Sequence, residues 1–277
     1  MDALIDPVLE PFRYGFMLRA LVVSVLVGIM CPLLGSYVVT RGLSFMGDAL
    51  AHAVLPGMVA GYVVGMNPLI ATVPAAAVVA FLIGYVSRRT GISEDASIGI
   101  LFAGLFALGL ALLTIAEGLP VNLEDLLLGQ VLGVSATDLV ITGGLAALVL
   151  AVLYGFHKEL VFASFDPSGA TVAGLPTGRL DYLLLLLLAL VIVIALQAVG
   201  IVLVMAMLVT PAATAHLIVR RFVSVMALGA ALGATAATAG LYLSFYLDIP
   251  SGPAMTLVAV SVFMVVATLR RGRLARA

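Results

Sequence analysis

Residues 183–221 read LLLLLLALVIVIALQAVGIVLVMAMLVTPAATAHLIVRR. Between Leu183 and Val219 the only polar side chains are Gln197, Thr210, Thr214 and His216, and the run closes on Arg220 and Arg221. About 20 apolar residues cross a hydrocarbon core roughly 30 Å thick. The run therefore reads as two apolar segments, 180–198 and 200–219. On either side of it, the same reading gives further segments at 16–39, 54–66, 69–87, 96–116, 138–156, 223–246 and 253–269. Segment 54–66 is too short to cross alone. Adding Leu43 to Ala53 gives a full helix that contains Asp48 and His52. The expected fold is an all-α polytopic transmembrane helix bundle of eight or nine spans.

Composition agrees. Of 277 residues, 64% are hydrophobic and 10% charged, and the mean hydropathy is +1.28. Soluble domains carry about 25% charged residues. A soluble enzyme is excluded, no stretch is left for a soluble domain, and any soluble partner must be a separate chain. Lys and Arg (13) nearly balance Asp and Glu (14), so nothing points to nucleic acid. The lone Cys31 permits no internal disulfide and no Cys-x-x-Cys pair. Asp2, Asp6 and Glu10 precede Arg13, unlike the basic start of a cleavable signal. Small residues such as Gly57, Gly61 and Gly65, or Gly229 and Gly233, predict close helix packing; a β-barrel would show short alternating strands instead.

Arginines set the orientation. Arg88 and Arg89, Arg220 and Arg221, and Arg270, Arg271, Arg273 and Arg276 each close an apolar segment, so these ends are expected on the cytoplasmic side. Counting back from a cytoplasmic C-terminus also places His157 to Arg179 inside, with Glu117 to Thr137 and Asp248 to Pro253 outside.

The stretch Arg41 to Gly61 places an acid and an imidazole within an apolar helix: Gly-Asp-Ala-Leu-Ala-His-Ala-Val-Leu-Pro-Gly spans 47–57. An ionisable residue in a membrane span is costly and points to function. Asp48 and His52 are four apart, hence on one helical face a turn apart, where they can share a cation; the alternative is a hydrogen bond between two buried polar groups. Oxygen and imidazole ligands suit Mn, Fe(II) or Zn better than Cu(I). His216 is a candidate further ligand, although a histidine near a helix C-terminus is ordinary. Met205, Met207 and Thr210 are weaker candidates, since methionines commonly fill gaps between helices. Pro56 and Pro211 interrupt segments in opposite halves of the chain, which marks either a transporter site at broken helices or plain kinks.

Within 157–179, Phe165-Asp166-Pro167 starts a short helix and Gly174-Leu175-Pro176 stops it. Ala170, Val172, Ala173 and Leu175 give it a small apolar face for a soluble partner's groove, or for the membrane surface. The single lysine, Lys158, follows no phosphate loop, so ATP is not bound through a Walker A motif; His-Glu-x-x-His and Gly-x-Ser-x-Gly are absent. Glu94, Asp95, Glu124 and Asp125 stand at segment ends, as helix starts and solvation explain.

With Glu-Asp-Ala-Ser-Ile-Gly-Ile-Leu-Phe at 94–102, and Val-Gly-Ile-Val-Leu-Val followed by Pro-Ala-Ala-Thr-Ala within 199–215, the chain resembles, over nearly its full length, the permease subunit of the manganese/zinc/iron family of ABC importers. The resemblance implies eight spans, and so an overcount near residues 43–87. It implies a single permease domain over 1–277, a homodimer in the prokaryotic plasma membrane with the path at its interface, separate cytoplasmic ATPase subunits, and an extracytoplasmic metal-binding protein. No permanently bound cofactor is implied, since the metal is cargo, and the chain itself is not an enzyme. By the same resemblance Asp48 and His52 match pathway positions, and 157–179 matches the coupling-helix region, with Phe165, Asp166, Pro167, Gly174, Leu175 and Pro176 as its contact motifs. The residues alone leave two rivals: a proton-coupled secondary cation transporter and an intramembrane metallohydrolase.

Overall fold

The computed structural model describes residues 14–43, 45–116 and 131–274. Asp2, Asp6, Glu10, Arg13, Glu117, Glu124, Asp125 and Arg276 lie outside the described residues, as does most of the expected outer segment 117–137. The described chain is helical: α1 (Gly15–Arg41), α2 (Met46–Ala53), α3 (Leu55–Val64), α4 (Pro68–Thr90), α5 (Glu94–Ile115), α6 (Ala136–Gly155), α7 (His157–Phe165), α8 (Pro167–Val172), α9 (Thr177–Ile218), α10 (Phe222–Leu247) and α11 (Ser251–Leu274). Where no water reaches the backbone, a helix satisfies its own N–H and C=O groups, which is why apolar segments take this form.

Local chemistry marks the breaks. Pro56 has no N–H for the carbonyl of His52, and α2 gives way to α3 at Val54, so the two short helices together make one span, Met46–Val64. The full helix expected from joining 43–53 to 54–66 is thus present, with a break at Val54. Gly65 closes α3 in the left-handed conformation (φ 73°). Ser93 caps α5, its hydroxyl accepting from the Ala96 N–H at 3.2 Å. Gly200 interrupts α9 at φ 78°, ψ 168°, a region open essentially to glycine.

Among the described residues, eight helical stretches are long and apolar enough to cross a membrane: Gly15–Arg41, Met46–Val64, Ile70–Thr90, Glu94–Ile115, Ala136–Gly155, Thr177–Leu196, Phe222–Leu247 and Ser251–Arg270. The surplus segment is not near residues 43–87, where the resemblance to eight-span permeases put it. That region supplies two of the eight. The excess is 200–219, where Leu203–Ile218 forms a shorter apolar helix, about 24 Å at 1.5 Å per residue, less than a hydrocarbon core of about 30 Å.

The chain divides into two compact units, Met1–Ser36 with Leu123–Gly144 and Ala195–Ala277, and Tyr37–Asn122 with Leu145–Ile194. In the first, glycines bring α1, α9 and α10 together. Pro32 lies inside α1 and offers no N–H to the carbonyl of Gly28; a side chain at Gly233 of α10 would strike that carbonyl oxygen, and one at Gly35 would strike the carbonyl of Leu208 in α9. Gly229 faces Pro32 and Ala212, so the packing expected of Gly229 and Gly233 is realised. We expect Gly233→Ala to lower the thermal midpoint of the purified protein, by overpacking worth about 1–3 kcal/mol. Gly99→Ala, where a methyl meets nothing within 4 Å, serves as the neutral control in the same melt.

In the second unit, α2 to α5 and the first part of α9 pack closely. A side chain at Gly57 would strike Ala75, one at Gly109 would press on Leu55 at 2.8 Å, and one at Gly84 would meet the Tyr182 ring. Gly65 has open space around it, and its role is to end α3 rather than to pack.

Candidate functional site

Asp48 and His52 lie in the second unit on α2, one turn apart as their spacing requires. Asp48 stands in the first turn of α2 and His52 in the last, not in mid-helix; at these ends the helix dipole favours a carboxylate and a positive charge respectively. The two side chains do not form a closed hydrogen-bonded pair. His52 Nδ1 lies 2.9 Å from the backbone oxygen of Asp48 and 3.5 Å from its carboxylate Oδ1. A carbonyl only accepts, so Nδ1 carries the hydrogen, and in the neutral form of the ring the lone pair is then at Nε2. The contact with Oδ1 is longer than a hydrogen bond of useful strength. The two residues thus stand on one helical face with neither side chain consumed by the other. Neither is sealed in: the side chains are 16% and 26% exposed.

The imidazole is walled by aromatic rings of α5. Phe102 and Phe106 stack on each other at 5.8 Å between centroids, and each meets the His52 ring edge to face, at 5.5 and 5.1 Å. Phe45, just before α2, extends the wall against Phe102 at 6.1 Å. Nδ1 tied to the backbone and the ring resting edge-on against the two stacked phenylalanines together restrict the orientation of His52.

His216 belongs to the other unit, near the end of α9. Its Nε2 is buried and has no hydrogen-bond partner among the described residues. Met207 is buried and Met205 partly exposed, while Thr210 turns its carbonyl to the Thr214 hydroxyl at 2.7 Å. Among the described residues, no three or more His, Cys, Asp or Glu gather where they could hold a metal ion.

The segment 157–176 forms two short helices. Asp166 starts α8, its Oδ1 accepting from the Gly169 N–H at 2.8 Å with Pro167 in the first turn. Gly174 (φ 82°) ends it: its N–H reaches the carbonyl of Thr171, and that of Leu175 the carbonyl of Ala170, each at 3.0 Å. Of the expected apolar face, Ala170 is fully buried and Leu175 partly so, whereas Val172 (90%) and Ala173 are exposed, as is Phe165 (58%) before it; α8 packs on α7, and Ala170 is on its covered side.

An ion-pair cluster that sequence reading missed stands beside this segment. Asp181, at the start of α9, takes Arg41 at 2.9 Å and Arg88 at 2.6 Å; the Arg41 Nε donates to Ser164 of α7 at 3.0 Å. Arg88 also lies over the Tyr182 ring at 5.4 Å. The signals were single charges at helix ends, with no spacing to pair them: Arg41 and Asp181 are 140 residues apart.

Comparison with known proteins agrees with this architecture. The family model of the ABC 3 transport family matches residues 13–270. The chain is 45% identical over 250 residues to the manganese transport system membrane protein MntC of Halalkalibacterium halodurans, covering 90% of this chain and 86% of the relative. It is 38% identical over 265 residues to the chelated iron transport system membrane protein YfeD of Yersinia pestis, covering 96% and 89%. Among solved structures, a chain of PsaBC from Streptococcus pneumoniae in complex with Fab superposes with a TM-score of 0.84 at 35% identity, over 95% of each chain. Eight apolar spans among the described residues and a match along nearly the whole chain place this protein as a multi-pass membrane permease subunit, and it belongs to the ABC 3 transport family.

Proposed function

We propose that this permease carries a divalent transition metal inward across the prokaryotic plasma membrane, manganese in preference to iron or zinc, with Asp48 and His52 as transient ligands. The observation that carries the reading is the open pair on α2: a carboxylate-bearing and an imidazole-bearing residue on one helical face, in a span, neither side chain consumed by the other. Carboxylate and neutral imidazole suit Mn, Fe(II) and Zn. Relatives named for manganese and for chelated iron support that class of cargo. The lean towards manganese rests on those names and on the expected outer segments, 117–137 and 248–253, holding no His or Cys of the kind that would favour zinc.

Two ligands are too few to hold an ion tightly, and a pathway ligand should bind briefly. The remaining positions fall to water or to a second copy of the chain. Homodimerisation with the path between copies fits the exposure of Asp48, since ionisable groups in spans face protein or water rather than lipid. His216, in the other unit, is kept as a separate ligand candidate, its buried Nε2 having no hydrogen-bond partner among the described residues. Separate ATPase subunits drive alternating access, and an extracytoplasmic binding protein delivers the ion. Orientation follows from the arginines: Arg41 and Arg88 meet Asp181 beside the segment 157–176, so these helix ends share one face, and the positive-inside rule makes it cytoplasmic, as it does the C-terminus. Phe165, Asp166, Pro167, Gly174, Leu175 and Pro176 then form the contact with the ATPase.

The test is ATP-dependent uptake of Mn, Fe and Zn into vesicles holding this chain with its ATPase and binding protein. Manganese is expected to move and to resist competition by the other two. No uptake of any of the three would overturn the reading. Phe106→Ala should free the His52 ring and raise the manganese concentration for half-maximal uptake roughly 10-fold, the scale typical of an outer partner of a ligand. An unchanged concentration dependence would remove the aromatic wall from the site.

A further inference from the structure

Two side chains on one face of α1 hold α7. Tyr37 and Arg41 are four residues apart, and they meet His157 and Ser164, seven apart on α7: the Tyr37 hydroxyl and His157 Nδ1 are 2.9 Å from each other, and Arg41 Nε donates to Ser164 Oγ at 3.0 Å. Spacings of four and seven each return to the same side of a helix, so both ties lie along one contact line. Ser164 is itself anchored, donating to the carbonyl of Leu160 at 2.7 Å, and Leu160 and Ala163 are buried on α7. Asp181, shared with Arg88, then holds the far side of the Arg41 guanidinium.

Arg41 is also the last residue of α1, and the chain between it and α2 is tied at Gly42 and Leu43. Gly42 (φ 72°) turns the chain, its N–H reaching the carbonyl of Val39 at 3.3 Å, while the Leu43 N–H reaches Val38 at 3.0 Å. This pairing locks a helix end. Leu43 is buried and accepts from the Met46 N–H at 3.0 Å, so its carbonyl receives the first N–H of α2. The end of α1 and the start of α2 are thus joined through Leu43, and Asp48 stands seven positions beyond Arg41.

We propose that Arg41 is a positioning residue of transport: through Ser164 it takes up motion of the segment 157–176 and, through the ties at Gly42 and Leu43, moves the helix that carries Asp48 and His52. This rests on the reading of 157–176 as the contact with the ATPase. The same motion that follows ATP binding would thereby change the placement of the two ligands, which is how a nucleotide event alters affinity for an ion at a separate site.

The experiment uses the assembled transporter in sealed vesicles and reads manganese ions moved per ATP hydrolysed. Arg41→Met is expected to keep ATP hydrolysis within about twofold and to lower ions per ATP roughly 10-fold, a loss within the range seen for residues that modulate coupling without touching either ligand. Ser164→Ala, a small change that leaves the Asp181 ion pair in place, is expected to lower the ratio in the same direction and to add nothing to Arg41→Met in the double variant. Arg41→Lys keeps the charge opposite Asp181 and loses the forked geometry, so it should restore part of the ratio. A merely structural role would instead lower transport and hydrolysis in proportion, and that result, or an unchanged ratio in both Arg41→Met and Ser164→Ala, overturns the inference. Asp166→Ala serves as the reference. If it uncouples while the Arg41 and Ser164 variants do not, only the route through Arg41 fails; if it stays fully coupled, the reading of 157–176 fails, and this inference with it.

Discussion

Asp48→Asn and His52→Ala are each expected to lower ATP-driven metal uptake by at least about 100-fold while leaving the complex assembled. Loss of even an outer partner of a metal ligand typically costs 10- to 100-fold, and these residues are proposed to touch the ion directly. The structure gives a reason to expect intact folding. The Asp48 carboxylate makes no short bond to the imidazole, and the Nδ1 hydrogen goes to a backbone oxygen that the asparagine variant would supply equally well. The fold loses little, while the cargo loses a negative oxygen. His52→Ala removes the Nε2 donor and leaves Phe102 and Phe106 to close over the space. The measurement is uptake of manganese in vesicles, together with recovery of the ATPase chain bound to the purified permease. Wild-type uptake in either variant would return the pair to a packing role; loss of assembly in both would mean that the pair holds the fold instead.

Asp166→Ala and Gly174→Val are expected to separate ATP hydrolysis from transport. Helix α8 has six residues, Pro167–Val172, far too few to persist without its ends fixed. Asp166 supplies one end through Gly169, and the alanine variant gives up a cap worth about 1 kcal/mol. Gly174 supplies the other at φ 82°, where a β-branched side chain is strained by about 1–3 kcal/mol. Either change lets the helix fray where Phe165 and Val172 are exposed, on the segment proposed to meet the ATPase. Hydrolysis measured on the complex should stay within about twofold, with uptake falling roughly 10-fold or more. Uptake and hydrolysis that both remain at wild-type level would remove 157–176 from the contact with the ATPase.

Family membership sets aside a secondary cation transporter and an intramembrane hydrolase, which the residues alone left open. It also makes ATP hydrolysis the task of a separate chain, in keeping with a sequence that holds no phosphate loop.

Features whose physics is local were legible from the residues alone. Length and apolarity set the spans, because a bilayer imposes a length and a helix has a fixed rise. The Asp48 and His52 pair was legible because four residues make about one turn, and the ends of α8 because caps act over three or four residues. The break before Pro56 follows from one missing N–H. The remaining features come from packing. The helices are apolar around most of their circumference, so no stripe announces which face meets which neighbour. No local spacing pairs Phe102 and Phe106 with His52; the packing of α5 on α2 brings them together. Ala170 looked like part of a docking face until α8 turned it inward. Arg41 finds Ser164 and Asp181 across 123 and 140 residues of chain, a pairing that no local spacing encodes and that only the packing of α1, α7 and α9 brings within 3 Å.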